Sequence, residues 1–415
     1  METVSTPTSS SRWTQQPDHV AWLRTQTERQ LLFARAFPHP SGGACYLGDD
    51  GRPDLSRPVH TWITARMLHV YSLGHLLGLP GSAPLARQAL SGLTGQLRDP
   101  VHGGWFSSVG PGNSVDDTKA AYAHAFVVFA SSSATVAGLP GARDLLDEAL
   151  EVLDEHFWED ATGMHRDALD RSWTEGSDYR GVNANMHAVE ALLSATDTTG
   201  DGRWRERALR ITENVLRWAA ENEWRIPEHF DADWQPRLEH HRDDPAHPFE
   251  PYGATVGHGL EWARLVLHVA AALSSDLSPR LVEGARQLFD RAVADGWAVD
   301  GADGFVYTTD WSGRPVVRQR MHWVLAEALS AASALLQATG EPVYEDHYRR
   351  WWDYAVDHLV TEDGSWRHEL DVANAPAATV WPGRPDLYHS VHATVLPRLP
   401  LSPTAPTAIR RGLVR

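Results

Sequence analysis

The chain has 415 residues, of which 42% are hydrophobic and 22% charged, and it carries a net charge of −17. That length allows two or three ordinary domains or one large repetitive one, and the acidic balance argues against nucleic acid or an anionic membrane as a partner. Cys45 is the single cysteine, which excludes an intrachain disulfide and fits a reducing compartment, the cytoplasm. Residues 1–8 have neither a basic start nor an apolar core, so no signal peptide is expected. No apolar run approaches the length of a membrane span. Basic charge is nearly all arginine, with Lys119 the lone lysine, and carries no functional information. The 18 tryptophans suit flat sugar rings, but they fill a large core equally well.

Taken in order, the chain repeats a unit of about 60 to 70 residues. Each unit holds an amphipathic helix, a short aromatic and Gly-rich segment, and a more apolar helix. The first 16 residues are expected to be a flexible segment. Amphipathic helices are predicted over 18–37, 83–97, 142–158, 203–221, 278–294 and 341–360. In the third, Leu146, Leu150, Leu153 and Phe157 recur at helical spacing while Asp147, Glu148, Glu151, Asp154 and Glu155 face elsewhere. That pattern describes an outer helix with one buried stripe.

Apolar helices are predicted over 59–78, 114–138, 181–196, 254–273, 318–339 and 387–395. Runs such as Ala125-Phe-Val-Val-Phe-Ala130 leave no face for water, so these helices belong inside. The first two end in the same tetrapeptide, Gly78-Leu-Pro-Gly81 and Gly138-Leu-Pro-Gly141, which stops a helix and turns the chain. The linking segments also correspond, from Ala44-Cys-Tyr-Leu47 and Gly104-Trp-Phe106 through Arg225-Ile-Pro-Glu228 to Gly364-Ser-Trp-Arg367. They are expected to be loops with short β-hairpins at one end of the molecule. Six outer and six inner helices in alternation make an all-α (α/α)6 barrel over residues 17–398. An open solenoid is disfavoured because nothing resembles a polar terminal cap. Residues 399–415, rich in Pro, Ser and Thr, are expected to form a loose tail.

Polar groups interrupt the beginning of every apolar helix: Arg66, Tyr122 with His124, Asn183 with His187, His258 with Glu261, His322 with Trp323, and His389 after Tyr388. Such residue types are rarely buried without a partner. Six chain segments that each bring a polar group to one axial pocket describe a ligand site. At i and i+3, His258 and Glu261 share a helix face, close enough for the carboxylate to hold the imidazole. A histidine so held suits a general base at neutral pH. Each residue also has a plainer reading. Arg66 could serve a structural ion pair, Tyr122 and Trp323 could be core aromatics, and Asn183 could cap its helix. His60 and His392 sit off the register and read as packing or surface residues. His240-His-Arg-Asp-Asp-Pro-Ala-His247 has the composition of a metal loop, but its Pro-rich, charged surroundings describe an exposed connection. With no H-E-x-x-H, cysteine pair, P-loop or dinucleotide motif, neither a metal nor a cofactor is expected.

Asn183-Ala-Asn-Met-His187, Gly257-His-Gly-Leu-Glu-Trp262, Arg66 and Tyr388-His389 together resemble the N-acylglucosamine 2-epimerase superfamily, and within it the D-mannose isomerase (aldose–ketose isomerase) branch. The resemblance covers residues 18–398. It implies an (α/α)6 barrel and an acid/base histidine pair that needs no metal or nucleotide. Carried over by position, His258 and His389 are that pair and Glu261 supports His258. Arg66, Asn183 and His187 bind the sugar, and Tyr122 and Trp323 join them as the aromatic members of the pocket. His322-Trp323 stands where cellobiose 2-epimerases tend to carry paired tryptophans, and Trp381 lies farther from the last histidine than theirs. Those departures favour a smaller, monosaccharide pocket. The implied reaction interconverts D-mannose and D-fructose through a cis-enediol. A sugar 2-epimerase is the alternative, followed by a glycoside hydrolase or a non-catalytic sugar-binding protein. Monomer and homodimer are both compatible with the sequence.

Overall fold

Apolar and amphipathic stretches alternate along this chain, and they can satisfy each other only if one set surrounds the other. The computed structural model describes residues 12–274 and 276–415. Twelve helices follow in order: α1 (Pro17–Phe33), α2 (Thr61–Leu76), α3 (Ser82–Thr94), α4 (Ala121–Val136), α5 (Ala142–Val152), α6 (Val182–Thr199), α7 (Gly202–Glu221), α8 (Val256–Leu273), α9 (Pro279–Gly296), α10 (His322–Thr339), α11 (Pro342–Tyr354) and α12 (Tyr388–Val395). Odd-numbered helices lie outside and even-numbered ones inside. The inner six pack in sequence, α2 on α4 and so on to α10 on α12, and α12 returns to α2. That last contact closes the ring, so the fold is an (α/α)6 barrel and not an open solenoid.

Burial follows the sequence pattern. In α7, Trp204, Ala208, Ile211, Val215 and Trp218 are buried at three- and four-residue spacing while the arginines and glutamates face out. In α8 every residue from Val256 to Leu267 is buried. Each large side chain so placed contributes roughly 1.5–3 kcal/mol. Trp105, Trp204, Trp262, Trp351 and Trp366 are fully buried, so much of the tryptophan is core. The two Gly-Leu-Pro-Gly turns have matching backbones, with φ of 76° and 87° at Gly78 and Gly81 and of 77° and 80° at Gly138 and Gly141. Only glycine holds that conformation without strain.

Long connections run from outer to inner helices and gather at one end. A two-residue strand leads into each of the inner helices α2 to α10 and pairs antiparallel with a strand of the following connection. Val59–His60 pairs with Ser108–Val109, Lys119–Ala120 with Ala168–Leu169, Arg180–Gly181 with His229–Phe230, Ala254–Thr255 with Thr308–Thr309, and Arg320–Met321 with Glu369–Leu370. A bridge between Leu47 and Arg384 joins the first connection to the last. These strands account for the one large boundary shift: α4 begins at Ala121, not at 114, because Val115–Asp116 and Lys119–Ala120 are strands.

Both chain ends depart from expectation within the described residues. The expected flexible segment lies outside them over residues 1–11, whereas Trp13 stacks on His19 with ring centroids 3.7 Å apart. The tail is not loose. It forms α13 (Ala405–Arg410), which packs on α2 and α4 and buries Pro406, Thr407, Ala408 and Ile409. Thr404 donates from both its backbone N and Oγ1 to Asp197 Oδ2, each at 2.7 Å, and Arg415 N donates to Arg398 O at 3.0 Å. The Pro, Ser and Thr of this segment hid a short apolar face. Among the described residues no helix is long and apolar enough to cross a membrane.

Candidate active site

Because the inner helices all start at the same end, their first two turns surround one hollow. Trp62 and Arg66 of α2, Tyr122 of α4, Asn183 and His187 of α6, His258 and Glu261 of α8, His322 and Trp323 of α10 and His389 of α12 all line one cavity that opens to solvent. Aromatic walls with a few convergent polar groups are the make-up of a small-molecule site. The eight residues given a catalytic or sugar-binding role from the sequence are therefore brought together. His124 is not among them: its Nε2 accepts the Trp105 N–H at 3.1 Å and its Nδ1 faces Ala120 O at 2.7 Å.

Trp323 lies between the two candidate acid/base histidines, its ring 5.2 Å from His258 and 5.7 Å from His389. Gly257 makes room for it, since a Cβ there would sit 2.3 Å from the indole. Each imidazole faces a buried carboxylate. His389 Nδ1 is hydrogen-bonded to Glu327 Oε1 at 2.8 Å, whereas His258 Nδ1 lies 3.0 Å from Glu228 Oε2 without hydrogen-bond alignment. Glu261 is thus not the partner of His258, which corrects the expectation drawn from their i, i+3 spacing. His258 stands at the mouth of α8 and meets the Arg225–Glu228 connection. Glu261 points one turn deeper, 4.0 Å from His187 Nδ1.

Below the cavity floor one guanidinium gathers three acids. Arg264 donates from Nε to Glu327 at 2.9 Å, from Nη1 to Glu190 at 3.1 Å and from Nη2 to Glu261 at 3.4 Å. Tyr388 Oη donates to the other oxygen of Glu190. Three carboxylates around one cation in a dry site cannot all stay charged cheaply. Burial, and next the charge of Glu327, push Glu261 well above the ordinary glutamate range. Burial, followed by the nearby Arg66, holds His389 and His187 well below the ordinary histidine value, so both rings are uncharged. Burial also raises the Tyr122 hydroxyl to about 12.

Arg66 is fixed from several sides. Nη1 donates to Asp386 Oδ2 at 3.1 Å, Nη2 donates to Tyr122 Oη at 2.8 Å, and its plane lies over Phe126, Tyr388 and Trp62 at 4.5 to 5.0 Å. The ion pair allowed for in the plainer reading exists, and it aims the guanidinium at the pocket. Asn183 caps nothing. α6 has no side-chain cap, and Asn183 Oδ1 is buried without a partner, ready to accept a hydroxyl. His322 Nε2 is likewise buried and unpaired. The connection after Phe230 covers the pocket with Pro248, Phe249 and Pro251, and Phe249 touches Trp381, with ring centroids 5.2 Å apart, as well as Trp62 and Tyr122.

The sequence reading missed Glu228, Glu327, Arg264, Glu190 and Asp386. A signal for three of them exists. Glu190, Arg264 and Glu327 are charges inside otherwise apolar helices, and such charges must find one another. Glu228 and Asp386 lie in connections, where nothing local marks them.

The sequence profile of the N-acylglucosamine 2-epimerase (GlcNAc 2-epimerase) family matches residues 42–393. A D-mannose isomerase of Thermobifida fusca is 52% identical over 401 residues, covering 96% of this chain and 98% of the relative. A D-mannose isomerase of Pseudomonas cannabina pv. alisalensis is 45% identical, covering 96% of this chain and 97% of the relative. Among solved structures, a D-mannose isomerase superposes with a TM-score of 0.84 at 28% identity, covering 90% of this chain and 96% of that one.

Proposed function

The chain belongs to the N-acylglucosamine 2-epimerase family, and from that premise we propose that it is an aldose–ketose isomerase that interconverts D-mannose and D-fructose through a cis-enediol. One observation carries the reading beyond its relatives: two imidazoles, each backed at Nδ1 by its own buried carboxylate, flank Trp323 in one pocket. With Nδ1 of each ring turned to its carboxylate, Nε2 is the nitrogen left to act on substrate.

The closed sugar must open before hydrogen can move. His258, held by Glu228, exchanges the O1 and O5 protons of the hemiacetal. His389, kept uncharged by burial, takes the proton from C2. Negative charge that develops on the carbonyl oxygen is met by the Arg66 guanidinium. O1 is protonated as the enediol forms, the C2 hydroxyl then gives up its proton, and His389 returns its own to C1. Atoms and charge balance without an added reactant. Asn183, His187 and Tyr122 hold the remaining hydroxyls and Trp323 lies under the ring. Phe249 and Trp381 exclude water, so that the proton on His389 is returned before it is lost.

The catalytic unit is the barrel of residues 17–398, acting on a free monosaccharide in the cytoplasm with no nucleic-acid or membrane partner. The charge of −17 and the single cysteine support that setting. Proton NMR of mannose in deuterated water tests the whole proposal. Fructose should appear with some deuterium at C1, and His389→Ala should abolish exchange of the C2 hydrogen. Glucose as the only product would make the protein a 2-epimerase, and normal exchange in the variant would remove His389 from its role.

A further inference from the structure

The connection that covers the pocket is rooted in a cluster with no part in the proposed chemistry. His240 Nε2 lies 2.8 Å from Glu250 Oε2, and His241 Nδ1 lies 3.9 Å from that oxygen and 2.8 Å from the Glu250 carbonyl. The three ligand atoms fall within 4.8 Å of one another. His247 stands beside them, its ring 4.4 Å from that of His241, and its Nδ1 accepts the Glu250 N–H at 3.0 Å. His229 supports the cluster from below and is fully engaged, with Nδ1 at Tyr179 Oη and Nε2 at Pro251 O. His241 is held at φ of 51°, a backbone cost that a non-glycine residue meets only when its surroundings demand that direction. Adjacent histidines on a regular chain diverge; this strained step turns both rings toward one carboxylate.

We propose that His240, His241 and Glu250 bind a divalent transition-metal ion of the Zn2+ type, which fastens the 231–251 connection over the pocket. Imidazole nitrogen and carboxylate oxygen are the donors that zinc, cobalt and nickel take, with water or His247 free to fill a fourth position. Each present contact between a ring nitrogen and a Glu250 oxygen requires one shared proton. A cation replaces it when that proton moves to the other nitrogen of the ring, so no net charge need leave the site. The side chains are 18%, 29% and 32% exposed, open enough for an ion to enter and covered enough to hold it. Glu250 stands between Phe249 and Pro251, both of which line the pocket, so an ion on its carboxylate fixes that wall. The second group of close ligand atoms, Glu261, Glu327 and His389, already has Arg264 as its cation.

The test uses tag-free full-length protein stripped with a chelator and titrated with ZnCl2 by calorimetry and with CoCl2 by visible absorption. One ion per chain is expected, with binding at least about tenfold weaker in both Glu250→Gln and His241→Gln, and slower hydrogen exchange over residues 240–252 when zinc is present. The site is overturned by non-saturable binding up to millimolar zinc, by affinity unchanged in both variants, or by affinity lost in Glu327→Gln instead. Binding that leaves exchange over 240–252 unaltered overturns the fastening role.

Discussion

In the proposed reaction His389 serves as a base because it is dry: burial and the Arg66 charge keep its ring neutral where an exposed histidine would take up protons in mild acid. The carboxylate behind it sets the ring's direction and tautomer. Glu327→Gln should therefore lower kcat by about 10²–10⁴-fold with little change in KM, the scale of loss for an orienting carboxylate. Glu228→Gln should slow turnover of closed-ring mannose while sparing C2 exchange on substrate that is already open, since Glu228 stands behind His258. A Glu261→Gln variant that mimics Glu228→Gln in this respect would restore Glu261 as the partner of His258. At this scale the histidines, Arg66 and Asn183 were legible because polar groups at apolar helix mouths are conspicuous. Their partners were not, because spacing along a helix says which residues share a face and nothing about a glutamate 30 residues away in a loop. Helical periodicity placed Glu261 beside His258. The three-dimensional site sends Glu261 toward Arg264 instead, because that guanidinium offers it a cation and His258 already has Glu228.

Periodicity located all twelve barrel helices, since a stripe of leucines and a run with no polar face are patterns of the chain itself. Short β-hairpins were expected in the connections, but the strands that lead into the inner helices α2 to α10 were not. Their pairing is with the next connection, roughly a repeat away, and two residues carry no alternation to detect. The C-terminal segment escaped because its three prolines with Ser and Thr read as a loose tail, although Ala408 and Ile409 are buried. Deletion of residues 399–415 should remove about 3–5 kcal/mol of packing, lower the thermal midpoint by several degrees and leave KM near its starting value. An unchanged midpoint would show that α13 only rests on the barrel.

Across the molecule, acid should be the weak side. His69, His124, His165, His187, His322 and His389 are buried and held below the ordinary value, burial being the largest cause in every case. Below pH 6.5 the unfolded chain binds protons that these folded rings refuse, so stability is complete above that pH and is lost as pH falls. Each ring contributes up to about 1.4 kcal/mol per pH unit. Glu261, Asp167 and Asp290, whose protons bind more tightly in the folded state, act in the other direction but are fewer. Thermal midpoints measured from pH 7.5 to 5 should fall steeply, and a flat profile would contradict the burial of these rings. The same ring of helices has a further consequence. Six helix mouths open onto one axis, and a side chain one or two positions into each already reaches the hollow. The wall that bears the load is separate from those few addresses, so a lineage could rewrite what the hollow accepts by exchanging letters at the rim while the masonry behind it stays untouched.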